Sequence, residues 1–299
     1  MFKAHRKYPC PKWYDLFLTC HTHGWINLAP FSWDEKHSRL EFALLIDGQA
    51  VDVTIQQDKR SIETAICSEK KISSNSLKRI DAVLARILGL KEKTTKLFKT
   101  ALKIGGPYPQ LIRKGAGRLL RGASLWEDAA KTLFTTNCSW ALTQKMCEKI
   151  CSAAFSIPSP SGRYPFPHPS SLAEESPDSL KRKMPIGYRA EYLKLLSKAF
   201  SGDSHLITLE ENSLPYDSAY EIVSGLKGFG PYARSHLLIL AGYYERIPVD
   251  SEVKSYVKKN HNSQNAERFV DRRYTPWGRY KWWGFKFEKM LRRQNWLGD

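Results

Sequence analysis

The spacing of apolar positions changes along this chain. Over residues 1–60 they read as strands. Leu40-Glu41-Phe42-Ala43-Leu44-Leu45-Ile46 and Val51-Asp52-Val53-Thr54-Ile55 flank Asp47-Gly48, which predicts a β-hairpin with a glycine turn. An earlier strand is predicted over Trp13–Cys20. Helical spacing then takes over, with Leu77, Ile80, Val83, Leu84 and Ile87 on one face of a helix from Ser76 to Leu88. Ser124 with Glu127 three residues on is a capping box, and it opens a helix reaching about Phe134. Thr135–Cys138 interrupts the pattern, and a second helix is predicted over Ser139–Phe155. Residues 156–170 are rich in Pro, Ser and Gly and read as a loop. A short helix over Ser171–Glu175, a turn over Lys183–Arg189 and a helix over Ala190–Phe200 follow. The prediction is an α+β protein, mostly α: an N-terminal antiparallel β module over 1–75, then a helical bundle over 76–299.

The most informative stretch lies in the last third. Asp217–Ser224 is a short helical run with Asp217 or Ser218 placed as N-cap. Leu226-Lys227-Gly228-Phe229-Gly230-Pro231 then turns the chain. Gly228 and Gly230 admit backbone angles that a Cβ forbids. Pro231 suits the first position of a helix, where its missing N–H costs nothing. Ala233–Tyr243 is apolar enough for a buried helix. The pattern is a helix-hairpin-helix over 218–243, whose tight turn directs N–H groups outward and suits a phosphate backbone. Ile247-Pro248-Val249-Asp250 follows, before a helix predicted over Ser251–Lys259. Asp250 reads equally as the N-cap of that helix and as a carboxylate set beside the turn for chemistry.

Composition narrows the partner. The 299 residues carry 47 Lys and Arg against 30 Asp and Glu, a net charge of +17, which favours polyanions and most simply nucleic acid. The excess is uneven: Lys91, Lys93, Lys96, Lys99, Lys103, Arg113, Lys114, Arg118 and Arg121 face only Glu92 over residues 91–121. No run of eighteen apolar residues offers a membrane span, and the N-terminus lacks an apolar signal core, so the expectation is an intracellular protein with no membrane partner. The six cysteines are dispersed; Cys147 and Cys151 share a helix face, and none has zinc or iron–sulfur spacing. They are expected to be reduced and mostly buried, with no metal. His21-Thr22-His23-Gly24-Trp25 is metal-like in composition but reads as a turn.

From about residue 117 to 290 the chain resembles the helix-hairpin-helix DNA glycosylases, and within them the 8-oxoguanine branch. Besides the hairpin, the resemblance rests on Gly117-Arg118-Leu119-Leu120-Arg121, Phe166-Pro167-His168-Pro169-Ser170-Ser171-Leu172-Ala173, Ile186-Gly187-Tyr188-Arg189-Ala190, Trp277-Gly278-Arg279-Tyr280 and Trp283. It implies double-stranded DNA containing a damaged base as partner and a base flipped out of the stack; with no oligomerisation signal in the sequence, a monomer is expected. The resemblance also implies that Asp250 is the catalytic carboxylate. Asn137 would enter the gap left by the flipped nucleotide, Tyr188 would wedge beside the orphaned base and Arg189 would contact that base. Gly228, Phe229 and Gly230 would meet the phosphates, with a monovalent cation at the hairpin and no iron–sulfur cluster.

The departures carry as much information. Bifunctional members place a lysine two residues after the second hairpin glycine, where its amine attacks the sugar; here that residue is Tyr232. The implied enzyme uses water and leaves an abasic site. His236 stands where the 8-oxoguanine enzymes place a cysteine, Glu252 replaces a phosphate-contacting histidine, Phe285 and Lys289 do not reproduce their base contacts, and Asn137-Cys138-Ser139 keeps one of three asparagines. Tyr232, His236, Phe285 and the Trp-rich tail would build an aromatic pocket suited to a cationic alkylated purine. For His236 a buried core histidine is an equal reading. The expected activity is excision of an oxidised or alkylated purine. Two alternatives stay open: a glycosylase for mispaired or deaminated bases, and a non-catalytic module that binds damaged DNA. Asp250 argues against the latter, since a pure binder gains nothing from a carboxylate pressed against phosphates.

Overall fold

The computed structural model describes residues 1–153, 157–202 and 204–292. The chain divides into two compact units: Met1–Glu92 with Arg118–Asp203, and Lys93–Gly117 with Ser204–Asp299. This differs from the division expected near residue 75. Polar residues of the sheet are tied to a helix and a loop further along the sequence.

In the first unit, β1 (Phe2–Pro9), β2 (Ser32–Asp34), β3 (Arg39–Ile46), β4 (Gln49–Asp58) and β5 (Ser61–Ser68) form one antiparallel sheet in the order β1-β5-β4-β3-β2. Leu40 faces Ile55, Phe42 faces Val53 and Leu44 faces Val51, all buried on one side. Asp47 and Gly48 both have positive φ, the two-residue turn that the twist of a hairpin favours. The strand expected over Trp13–Cys20 is instead a helix, Leu16–His21, because Asp15 caps it by accepting the Leu18 N–H at 2.7 Å. The true first strand, β1, escapes notice because Lys3, His5 and Lys7 occupy its exposed face. The helix Ser74–Ile87 is tied to the sheet through Asp81, which accepts from Arg6 Nε at 3.0 Å and the Tyr8 hydroxyl at 2.6 Å. The Pro/Ser-rich loop is fastened through Ser159 and Ser161 to Asp52 on β4.

The helix start forms where the spacing predicts, with Glu127 reaching back to the Ala123 N–H rather than to that of Ser124. Ser124 accepts the Glu127 N–H at 3.3 Å and opens Leu125–Phe134. Glu127 and Asp128 are buried and fully engaged: Glu127 binds Lys131 Nζ at 2.6 Å and the Ala123 N–H at 2.8 Å, while Asp128 takes Trp25 Nε1, the Gly122 N–H and Arg86. The next helix is Trp140–Ser152, capped by Ser139; the expected extension to Phe155 lies outside the described residues. Cys147 and Cys151 are buried and neither forms a disulfide, and burial pushes the Cys147 thiol up to about 12. The helices Pro177–Lys183 and Arg189–Gly202 complete this unit.

The second unit is helical: Thr95–Ile104, Tyr108–Arg113, Tyr216–Ser224, Pro231–Leu240, Ser251–His261, Ala266–Tyr274 and Lys281–Arg292 are its longer elements. Trp277, Trp282, Trp283, Phe285 and Phe287 are all buried and form its core, with Gly284 letting the Trp277 indole pack where a Cβ would stand 2.5 Å from the ring. Burial opposes ionisation of Glu288, yet bonds from Arg273, His261 and Tyr256 hold its carboxyl below the usual range. Among the described residues no helix is long and apolar enough to cross a membrane, and no cluster of His, Cys, Asp and Glu could hold a metal.

Lys131 has no exposed side-chain surface, and among the described residues Glu127 is the one acid it pairs with. Lys131→Met should lower the urea-unfolding free energy of the first unit by about 3–5 kcal/mol, because it strands a buried carboxylate. The double change Glu127→Gln with Lys131→Met should recover most of that loss. Equal stability of Lys131→Met and the native chain would refute the pairing.

Candidate functional site

The hairpin and Asp250 belong to the second unit. The helix Tyr216–Ser224 starts after Pro215, which makes no side-chain cap; Asp217 and Ser218 lie inside its first turn, so neither is the N-cap expected. Gly228 has φ +85°, a left-handed conformation that favours glycine. Gly230 does not need that freedom: its φ is −76° and ψ −179°. A Cβ added there would meet nothing within 4 Å, and the residue is exposed, so its bare backbone leaves room for a close ligand. Pro231 opens the helix Pro231–Leu240 as the sequence predicts. The first turn of such a helix presents N–H groups that the helix itself does not use. Phe229, expected to meet DNA, is 3% exposed, so it belongs to the core rather than to the surface.

Asp250 is the N-cap of Ser251–His261. Its Oδ1 accepts the Val253 N–H at 2.8 Å, and the residue is half-buried. Oδ2 has no hydrogen-bond partner among the described residues. The two readings of this residue are therefore compatible: one oxygen caps the helix, the other is available. The helix dipole also favours a negative charge at that end. Tyr232 and His236 sit one turn apart on Pro231–Leu240, with the Tyr232 hydroxyl 3.1 Å from His236 Nδ1 and the rings edge to face. Both are half-buried, so His236 is not a fully enclosed core residue. Phe285 does not join them. It is 4% exposed and is flanked edge-on by Tyr256 and Tyr274, and the tryptophans expected in the pocket are core as well.

The turn bearing Asn137 belongs to the first unit. Thr135 and Thr136 bond back to Thr132 and Leu133, both at 2.7 Å, and Asn137 follows at φ +47°, exposed at the tip. Asparagine tolerates this conformation better than other residues that carry a Cβ. Tyr188 is 52% exposed, as a wedge requires. Arg189 is placed differently from the expectation. It is 4% exposed, its guanidinium donates to the carbonyls of Thr136 and Asn137, and it lies 4.7 Å from the Tyr188 ring centroid. It holds the turn and the tyrosine in place, and no face of it is left for a base. Two of the basic residues expected at the surface are likewise internal: Arg118 donates to the carbonyl of Trp13, and Arg121 pairs with Glu92. Lys93, Lys96, Lys99, Lys103, Arg113 and Lys114 of the second unit are exposed. Trp140, 42% exposed just after the Asn137 turn, was not singled out by the sequence, where it reads as one more apolar helix position.

No protein-family model matches the chain, and no curated protein matches it in sequence. Solved structures do match in fold. The 3-methyladenine DNA-glycosylase from Archaeoglobus fulgidus superposes with a TM-score of 0.72 at 19% identity, covering 97% of this chain and 99% of that one. MBOgg1, solved with a low-affinity DNA ligand, gives 0.71 at 17% identity over 96% of each chain. The 8-oxoguanine glycosylase/lyase of Clostridium acetobutylicum gives 0.65 at 16% identity, covering 89% and 92%. The chain shares the fold of these solved structures over nearly its whole length.

Asn137→Gly should leave the fold's stability nearly unchanged, whereas Asn137→Val should cost about 1–2 kcal/mol, because a β-branched residue resists the left-handed conformation. Thermal unfolding of the two variants checks this; equal losses would mean that the side chain, and not the backbone angle, is what the turn requires.

Proposed function

We propose that this chain is a monofunctional DNA glycosylase of base excision repair, which hydrolyses the N-glycosidic bond of a flipped, damaged purine. The observation that carries the reading is Asp250: a carboxylate with one oxygen fixed on a helix N-terminus and the other available, in the fold of DNA glycosylases and one helix further along the chain than a Gly-x-Gly turn whose second glycine is exposed.

Departure of a base leaves a sugar with oxocarbenium character. The available oxygen of Asp250 stabilises that cation and orients the attacking water. Holding the other oxygen on the Val253 N–H removes the rotational freedom that would otherwise be lost in the transition state. The exposed Gly230 amide of the hairpin and the surface lysines bind the phosphates, and Asn137 and Tyr188 fill the space of the extruded nucleotide. Tyr232 supports the monofunctional reading, since a phenol cannot form a Schiff base. The Tyr232–His236 pair supplies a polar-tipped aromatic surface for a purine.

Single-turnover excision on duplexes carrying 8-oxoguanine, a 3-methyladenine analogue, hypoxanthine, uracil or a thymine mispair tests the proposal. Product is expected on a purine lesion, visible only after hot alkali. Asp250→Asn should keep the cap and the fold, since Asn caps helices as well as Asp, and keep DNA affinity. It should lower excision by a factor of about 100–1,000 or more. Borohydride should trap no covalent adduct; an adduct would refute the water mechanism. Tight binding with no product on any duplex would favour the non-catalytic reader. Affinity should fall steeply with salt, and a flat salt profile would argue against phosphate contacts.

A further inference from the structure

The fold family implies a monovalent cation held by carbonyl oxygens of the hairpin, and the turn's own hydrogen bonds test whether this chain fits one. The carbonyls of Ile222, Val223 and Leu226 accept the N–H groups of Gly225, Leu226 and Phe229 at 3.1–3.3 Å. The carbonyl of Phe229 accepts Arg234 Nε at 2.7 Å, and that of Ser224 accepts Arg234 Nη2 at 3.4 Å. A bare cation must collect several carbonyl oxygens to replace its hydration shell. Here a guanidinium already lies on two of them, so the residues of this turn do not fit a bound ion.

We propose that Arg234 takes the cation's place, making the hairpin's grip on DNA independent of monovalent metal. Arg234 is permanently charged, and its planar fork of donors suits two carbonyls at once. The contact at Phe229 has a specific consequence. In a trans peptide the C=O and N–H point in opposite directions. Holding the Phe229 oxygen on the guanidinium therefore directs the Gly230 N–H, the other end of the same peptide, away from it. Gly230 is exposed and open where a Cβ would stand. A charge-assisted bond on the oxygen also polarises the peptide and strengthens its N–H as a donor. Arg234 thus prepares the amide that would receive a phosphate oxygen without itself touching DNA, and is a positioning residue. It comes from the first turn of Pro231–Leu240, so the hairpin carries its own cation covalently.

This inference rests on the hairpin binding DNA, and the experiment separates the two. Affinity for a duplex with an abasic-site analogue is measured by fluorescence anisotropy in potassium, sodium or tetramethylammonium chloride at one ionic strength. The native chain should bind within about twofold in all three. Arg234→Ala should bind about tenfold more weakly in tetramethylammonium, the loss of a charge-assisted hydrogen bond. Potassium should restore part of that loss. In the absence of DNA, potassium should raise the melting temperature of Arg234→Ala and leave that of the native chain unchanged. A native chain that needs potassium for binding or stability overturns the inference. So does an Arg234→Ala loss that no cation relieves, which would make the arginine merely structural. If no salt supports DNA binding, the DNA reading fails while the melting comparison still decides the role of Arg234. If the variant does not fold, the salt response of the native chain decides it.

Discussion

Irregular segments must find partners for their backbone carbonyls, and this protein meets that demand with arginine. A buried carbonyl without a donor costs about as much as a lost hydrogen bond. Helices and strands satisfy theirs internally, but turns do not. Arg118 serves the carbonyls of Lys12, Trp13 and Glu92; Arg86 serves Gly122; Arg189 serves Thr136 and Asn137; Arg234 serves Ser224 and Phe229. One guanidinium offers several donors in a rigid plane, so a single side chain can immobilise a whole turn. The turns so held include both that the proposed chemistry uses: the tip carrying Asn137 and the hairpin carrying Gly228 and Gly230. A chain with a net charge of +17 thus divides its cations between two tasks. The lysines stay largely in solvent, and several of the arginines are structural.

The same economy appears at Asp250. A helix N-terminus needs an acceptor for its first N–H groups, and hydrolysis of a glycosidic bond needs a carboxylate held in a fixed direction. One residue meets both needs because a carboxylate has two oxygens, and the Val253 N–H engages only one of them. The cap thereby orients the reactive group.

Base recognition is where the structure moves furthest from expectation. Trp277, Trp282, Trp283 and Phe285 looked like the walls of an aromatic pocket, but they are the core of the second unit. A small helical unit has few other ways to bury enough apolar area, and large rings close-packed around Gly284 supply it. Tyr232 and His236 are left as the aromatic pair with accessible surface on the hairpin's second helix.

The sequence alone determined the elements whose signals are local. Ser124 and Glu127 announced a helix start, Asp47-Gly48 a hairpin, Gly228 a left-handed turn, Pro231 a first helical position and Asp250 a cap, because each depends on neighbours within a few residues. The likeness of spaced motifs also carried the fold correctly across most of the chain. Tertiary structure decided what local signals cannot reach. Whether an arginine faces solvent or a carbonyl depends on segments as distant as Arg118 and Trp13, and a buried and an exposed arginine look identical in sequence. Whether an aromatic lines a pocket or fills a core depends on what packs against it. The alternation of β1 was hidden by cations on its exposed face until β5 paired with it. Arg234 was silent for the same reason: its meaning lies in the two carbonyls it meets, and only the folded hairpin brings them together.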